Sequence, residues 1–231
     1  MRRLCILLST SWGWRKSHWP TSNVTREWSP AETKPGWGCF IDPDGDCKQV
    51  WKDGTLTFEV PGNVHELQGN GRRNAPRLLA ERSGDFAMSV RAAGKLSPKQ
   101  ATGEGFLPYH GAGLLVMEHD SSFLRLERAK ILQPNGNEMT YINFEEHRAS
   151  GARPIKQLQL SDEEIVHLRI ERRRNKIVGL LSRDSTTWEE LGDVSFPYAA
   201  GAVKVGVAAV NSSRAAFIPE FSDFRLFEAK G

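Results

Sequence analysis

The chain has 231 residues, with 31 Lys and Arg against 28 Asp and Glu for a formal charge of +3. That length suits one β-rich domain with extensions, and the interspersed, nearly balanced charge argues against nucleic acid or an anionic membrane as partner. No apolar run approaches the roughly 18 residues of a transmembrane helix, so no membrane span is expected.

Residues 1–35 form an N-terminal extension rich in Ser, Thr and Pro, with neither hydrophobic period. Arg2 and Arg3 followed by Leu4-Cys-Ile-Leu-Leu8 resemble the charged and apolar parts of a signal segment. The apolar run is short for that role and no small-x-small cleavage site follows, so a weak signal segment and an irregular tail both stay open. Trp12, Trp14, Trp19, Trp28 and Trp37 crowd this region, and some of those rings are expected to dock. Cys39 and Cys47 are close enough to close a short loop in an oxidising compartment; free thiols are the other outcome.

From residue 36 to 231 the texture changes to short β-like segments punctuated by turn residues. Thr55 to Val60 alternates Leu56, Phe58 and Val60 against Thr57 and Glu59, and Pro61-Gly62 ends it. Asp85 to Arg91 alternates in the same way. Leu114 to Met117 is apolar throughout, as in a central strand, and Glu118 to Ser121 supplies turn chemistry for a hairpin into the next strand. That strand, Phe123-Leu-Arg-Leu-Glu-Arg-Ala129, is echoed by His167-Leu-Arg-Ile-Glu-Arg-Arg173. Because successive side chains of a strand point to opposite faces, the Leu and Ile residues are expected on a dry face and the Arg and Glu residues on the other. Tyr141 to His147 alternates more weakly. The second echo turns at Arg172 to Asn175 into Lys176 to Ser182, giving a second hairpin, with the basic tip solvating the turn. Val203, Val205 and Val207 mark a further strand, and Phe217 to Phe227 a last one whose Pro219 confines its start to an edge or bulge. Ala93 to Gly105 and Pro134 to Asn137 are expected as loops. Nine to eleven strands with almost no helix predict an all-β, antiparallel two-sheet β-sandwich.

Trp37-Gly, Asp42-Pro-Asp-Gly-Asp-Cys47, Val60-Pro-Gly62, Asn74-Ala-Pro-Arg77, Gly84-Asp-Phe86, Ala112-Gly-Leu-Leu115, both echoes, and Ser182-x-Asp184 with Trp188 occur in an order that resembles the concanavalin A-like domains of unknown function 1349. These are relatives of the β-sandwich appended to β-xylosidases, and the resemblance spans about residues 36 to 228. It implies a jelly-roll sandwich. It implies no particular activity, since this superfamily holds lectin-like binding modules, laminin-G-like domains, glucanases and lyases.

If the echoed strands are neighbours, Arg125, Glu127, His167, Arg169 and Glu171 form one polar row able to hydrogen-bond sugar hydroxyls. The structural alternative is a cross-strand Arg and Glu ladder. Trp51, Tyr109 and Trp188 are aromatic candidates for stacking on sugar C–H faces, or for anchoring loops. Asp42, Asp44 and Asp46 surround Gly45 and offer oxygens to calcium; they are equally ordinary turn formers, and the full calcium-loop signature is missing, so the expectation is no cofactor. Asp184 is expected to cap a turn beside Trp188. His65 and His110 fall in predicted loops without metal-ligand spacing. No strand carries a Glu-x-Asp-x-Glu hydrolase arrangement and no nucleophile has a triad context, which weighs against an enzyme. The expectation is a non-catalytic recognition module for carbohydrate, outside the cell or at its surface. A polysaccharide hydrolase or lyase and a laminin-G-like sandwich binding a cell-surface protein are the rivals.

Overall fold

The computed structural model describes residues 37–67, 73–103, 105–162, 164–196 and 201–228, so the expected extension over residues 1–35, with Trp12, Trp14, Trp19 and Trp28, lies outside it. Among the described residues, fourteen strands form two antiparallel seven-stranded sheets. Sheet I runs, edge to edge, β1 (Cys39–Ile41), β4 (Arg77–Arg82), β13 (Val203–Asn211), β6 (Tyr109–His119), β7 (Ser122–Leu132), β8 (Glu138–Arg148) and β9 (Gly151–Gln159). Sheet II runs β12 (Glu189–Ser195), β11 (Lys176–Ser182), β10 (Val166–Arg173), β5 (Phe86–Ala93), β14 (Glu220–Glu228), β3 (Thr55–Glu59) and β2 (Lys48–Lys52). Among the described residues no helix is long and apolar enough to cross a membrane.

Period-2 alternation produces the core. Leu114 and Val116 of β6, Leu124 and Leu126 of β7, and Ile142 and Phe144 of β8 face inward and meet Met88, Val90, Leu168, Ile170, Ile177 and Leu181 of sheet II. Each such side chain contributes about 1.5–3 kcal/mol on burial. A close approach keys the sheets together: a Cβ on Gly179 of β11 would stand 2.7 Å from the Phe144 ring, so only glycine admits that ring. Trp37 docks in the same core, its ring 4.1 Å from Phe224 and 5.2 Å from Trp51 between centroids.

Both predicted hairpins form, β6–β7 and β10–β11, and β6 is the middle strand of its sheet. The strands not anticipated are β1, β2, β4, β9 and β12. They are edge strands, except β4, which lies next to an edge. A strand bonded on one side needs no dry face; β9 is exposed along most of its length and contains Pro154, tolerable at an edge.

Three expectations are corrected by strand parity and topology. The echoes do not lie side by side, because β7 belongs to sheet I and β10 to sheet II, and their polar residues point away from opposite sides of the sandwich. Arg128 and Arg172, which follow the glutamates of the two phrases, fall on the leucine parity. There they reach backbone carbonyls: Arg128 donates to Glu164, Gly94 and Asp162, and Arg172 to Arg174 and Gly201. His110 lies on β6, not in a loop; it is buried, stacks on Phe217, and burial pushes its imidazole down to about 4, so it is neutral.

Candidate functional site

On the outer face of sheet I, β6, β7, β8 and β9 bring polar side chains into one patch. Glu127 lies opposite Gly113 on one neighbour and Asn143 on the other; Arg125 lies opposite Leu115 and Glu145; Phe123 lies opposite His147. Asn143 in turn faces Gln157 of β9. Gly111 and Gly113 make room for this arrangement. A Cβ on Gly111 would stand 2.6 Å from Glu127 Oε2 and 2.7 Å from the Tyr109 ring, so the Glu127 carboxylate rests where a side chain of β6 would otherwise stand.

Arg125 is the hub. Its Nε is 2.9 Å from Glu127 Oε1 and 2.7 Å from Glu145 Oε1, and its Nη2 is 2.5 Å from Glu145 Oε1. His147 Nε2 lies 2.5 Å from the same Glu145 oxygen, and the His147 ring stacks on Phe123 at 4.2 Å. The Tyr109 hydroxyl donates a short hydrogen bond to Glu127, and the Arg125 guanidinium lies 5.7 Å from the Tyr109 ring centroid. Asn143 Nδ2 donates to Glu127 Oε1 at 3.4 Å, and Gln157 Nε2 donates to Asn143 Oδ1 at 3.3 Å. Apart from exposed Gln157 these groups are buried.

The segment between β3 and β4 contributes to that burial. Leu67 and Ala75 pack with Tyr109, Leu115, Met117, Phe123 and Tyr141 on the outer face, and buried Glu66 lies within the electrostatic reach of Arg125 and Glu145. The segment is fixed by an antiparallel bridge from His65 to Asn211 and by Asn74, whose side chain accepts from Glu66 N–H and donates to the Val64 carbonyl. Arg125 Nη1 and Glu66 Oε2 are buried and have no hydrogen-bond partner.

The environment drives the two carboxylates apart. Burial, reinforced by Glu145, raises Glu127 to about 7 against the lowering pull of Arg125. Burial also opposes ionisation of Glu145, but Arg125 and His147 outweigh it and hold that carboxyl well below the usual range. Burial and the nearby Glu127 charge raise the Tyr109 phenol well above 10, so it is a donor. For Arg125 burial favours the neutral form, and Glu127 and Glu145 overcome it and keep the guanidinium charged.

Of the residues singled out from sequence, Tyr109, Arg125 and Glu127 therefore meet, while His167, Arg169 and Glu171 lie on the outer face of sheet II. There Arg169 Nη2 is 2.6 Å from Glu171 Oε1, Arg173 Nη2 is 2.5 Å from Glu171 Oε2, and the Arg169 guanidinium lies 5.5 Å from the Trp188 ring centroid. Trp51 packs against the main core beside Trp37 rather than standing in a rim loop. Asp184 caps its turn as expected, accepting from the N–H groups of Thr186 and Thr187 at 2.8 and 2.6 Å. The three aspartates turn to separate partners: Asp42 accepts from Cys47 N–H, Asp44 from Asn74 Nδ2, and Asp46 from Asn63 Nδ2. Cys47 is a buried free thiol, so it forms no bridge with Cys39. Sequence reasoning missed Glu66, Asn143, Glu145, His147 and Gln157. The detectable signal was the alternation Asn143-x-Glu145-x-His147, a polar stripe on a strand whose other face carries Ile142 and Phe144.

No family model and no curated protein matches the chain. Among solved structures it is similar to a functionally unknown protein from Saccharomyces cerevisiae, at 18% identity and TM-score 0.65, over 85% of this chain and 98% of that one. It is similar to the GH43 protein BlXynB from Bacillus licheniformis, at 13% identity and TM-score 0.61, over 82% of this chain but only 36% of that one. A xylan β-1,4-xylosidase from Bacillus halodurans gives 14% identity and TM-score 0.57 over 77% of this chain and 33% of its own. These likenesses establish the two-sheet antiparallel sandwich.

Proposed function

We propose that the protein is a carbohydrate-recognition sandwich, akin to the domains of unknown function 1349, that works outside the cell or at its surface and uses the outer face of sheet I. The observation that carries this is a continuous hydrogen-bonded path from solvent to a buried charge cluster: exposed Gln157 to Asn143, Asn143 to Glu127, and Glu127 to Tyr109 and Arg125. The exposed Gln157 amide supplies both a donor and an acceptor for sugar hydroxyls, and the buried amide, carboxylates and guanidinium behind it fix its orientation. Likeness to sandwich portions of xylosidases supports the same class of ligand. A glycan array with and without calcium tests the proposal. Gln157→Ala is expected to weaken any captured glycan roughly tenfold, about 1.4 kcal/mol, with no change in melting temperature, and Arg169→Ala on the opposite face to leave binding intact. Failure of every glycan to bind, or equal effects from the two faces, rejects it.

One observation favours a catalytic reading. Glu127, held near 7, and Glu145, held ionised, form the protonated and ionised carboxyl pair that glycoside hydrolysis employs, with Tyr109 and His147 alongside. Against it, both carboxylates are tied to the same Arg125 Nε and neither is exposed. Release of reducing ends or unsaturated products from mixed polysaccharides, abolished by Glu127→Gln, is the result that establishes turnover.

A further inference from the structure

A second cluster, away from the charge network just described, joins the β1–β2 turn to the segment between β3 and β4. Cys47 Sγ lies 3.8 Å from His65 Nδ1 and 4.0 Å from His65 Nε2; Asp46 Oδ1 lies 3.6 Å from Cys47 Sγ, and Asp46 Oδ2 lies 3.6 Å from His65 Nε2. One ligand atom from each residue lies within 4.8 Å of the others. His65 and Cys47 are buried and Asp46 is exposed, so the set opens to solvent on one side.

We infer that Asp46, Cys47 and His65 form a binding site for a zinc-like divalent transition metal. Zinc bonds of about 2.3 Å to sulfur and 2.0–2.2 Å to nitrogen and oxygen, at tetrahedral angles, place ligand atoms about 3.3–3.6 Å apart. Asp46 approaches Cys47 through Oδ1 and His65 through Oδ2, so with one ligand atom taken from each residue the separations lie within 4.8 Å, and a rotation of the Asp46 carboxylate that closes the longest by about 1 Å brings the set to zinc spacing. A thiolate, an imidazole and a carboxylate are a borderline-soft set, which selects zinc, cobalt or copper over calcium or magnesium. Three protein ligands leave a fourth position for water.

Electrostatics and support agree with this assignment. The carboxylates of Asp42, which accepts from Cys47 N–H, and of Asp46 place negative charge beside the sulfur that attracts a cation, and a metal bound there takes the thiolate while the thiol proton leaves to solvent. Asn63 Oδ1 lies 2.8 Å from His65 Nε2 and Asn63 Nδ2 is 3.1 Å from Asp46 Oδ2, so Asn63 orients both outer ligands and yields its His65 contact when metal enters. The His65 backbone is held by paired hydrogen bonds with Asn211. Since Glu66 and Leu67 follow His65 directly, an ion here fastens the segment that packs on the outer face of sheet I.

The full-length protein, stripped with EDTA and dialysed, is titrated with zinc by calorimetry and with cobalt(II) by absorption. The expected result is one tight equivalent of zinc and a thiolate-to-cobalt charge-transfer band. Asp46→Asn, at an exposed position that leaves the circular dichroism unchanged, is expected to weaken zinc at least tenfold, and Cys47→Ser to remove the band. A wild-type cobalt complex without that band, a band that survives Cys47→Ser, undiminished zinc affinity in Asp46→Asn, or calcium raising the melting temperature where zinc does not, each overturns the assignment. Should Cys47→Ser fail to fold, the wild-type cobalt spectrum and Asp46→Asn decide the matter.

Discussion

The two echoed strands carry nearly the same residues and end in different chemistry. On β10, Arg169 pairs with Glu171, and Glu171 has a second cation in exposed Arg173, so the phrase meets its charge within its own strand. On β7, Arg125 serves Glu127 of its own strand and Glu145 of the next, while Tyr109 and His147 close in from both sides and Glu66 approaches from the segment after β3. The neighbours make the difference. Beside β7 stand two glycines and a polar stripe; beside β10 stand Ser89 and Ala87 on one strand and Leu180 and Val178 on the other. A strand's own residues set which face is polar, and its partners decide whether that face is a ladder or a site.

The largest expected effect separates the two arginines. Arg125→Ala strands two buried carboxylates and is expected to cost about 3–5 kcal/mol in urea unfolding; Arg169→Ala should cost clearly less, because Glu171 keeps Arg173. Equal losses would erase the contrast. Next comes pH. The Glu127 carboxyl is raised from its ordinary 4.5 to about 7 in the fold, so its contribution to stability is whole below about 4.5 and disappears as pH climbs through about 7. Wild type is therefore expected to lose about 3 kcal/mol relative to Glu127→Gln between pH 4.5 and 8. Glu145, depressed in both proteins, loses its contribution at the acid end in each and cancels from the comparison; parallel pH curves would refute the assignment. Gly111→Ala sharpens the role of the neighbours: its methyl meets Glu127 and Tyr109, and a loss of about 1–3 kcal/mol is expected by thermal unfolding. The smallest effect belongs to the other face, where Trp188→Ala removes the ring beside Arg169 and should cost about 0.5–1 kcal/mol in the same assay.

Alternation of Leu124 with Arg125 and of Leu168 with Arg169 made the sandwich legible, because burying one face of each strand leaves little freedom in the fold. Which sheet each echo joins was not legible, since pairing depends on contacts as distant as Arg169 with Ser89 on β5. Tyr109, Arg125 and Glu127 were identifiable as polar or aromatic candidates. Glu145 and His147 were not, because the weak alternation of their strand hid a stripe that matters only once β8 lies against β7. Glu66 offered no signal at all: it sits in an irregular segment whose course is fixed by Asn74 and by the bridge to Asn211. The pairing of Cys47 with His65, eighteen residues apart and on different segments, escaped any search by local spacing.

The Phe144 ring seated on Gly179 has a consequence for recognition. Asn143 and Glu145 flank Phe144 on β8 and point the opposite way, so the contact that locks one sheet to the other also immobilises the strand that presents them. On the proposed function, a ligand at exposed Gln157 would find behind it groups whose motional freedom was surrendered during folding, and its capture would incur little further ordering of the protein. Filling the notch, as in Gly179→Ala, would loosen this anvil from behind, and calorimetry would register the change as a larger entropic penalty on association with every group on the outer face still present.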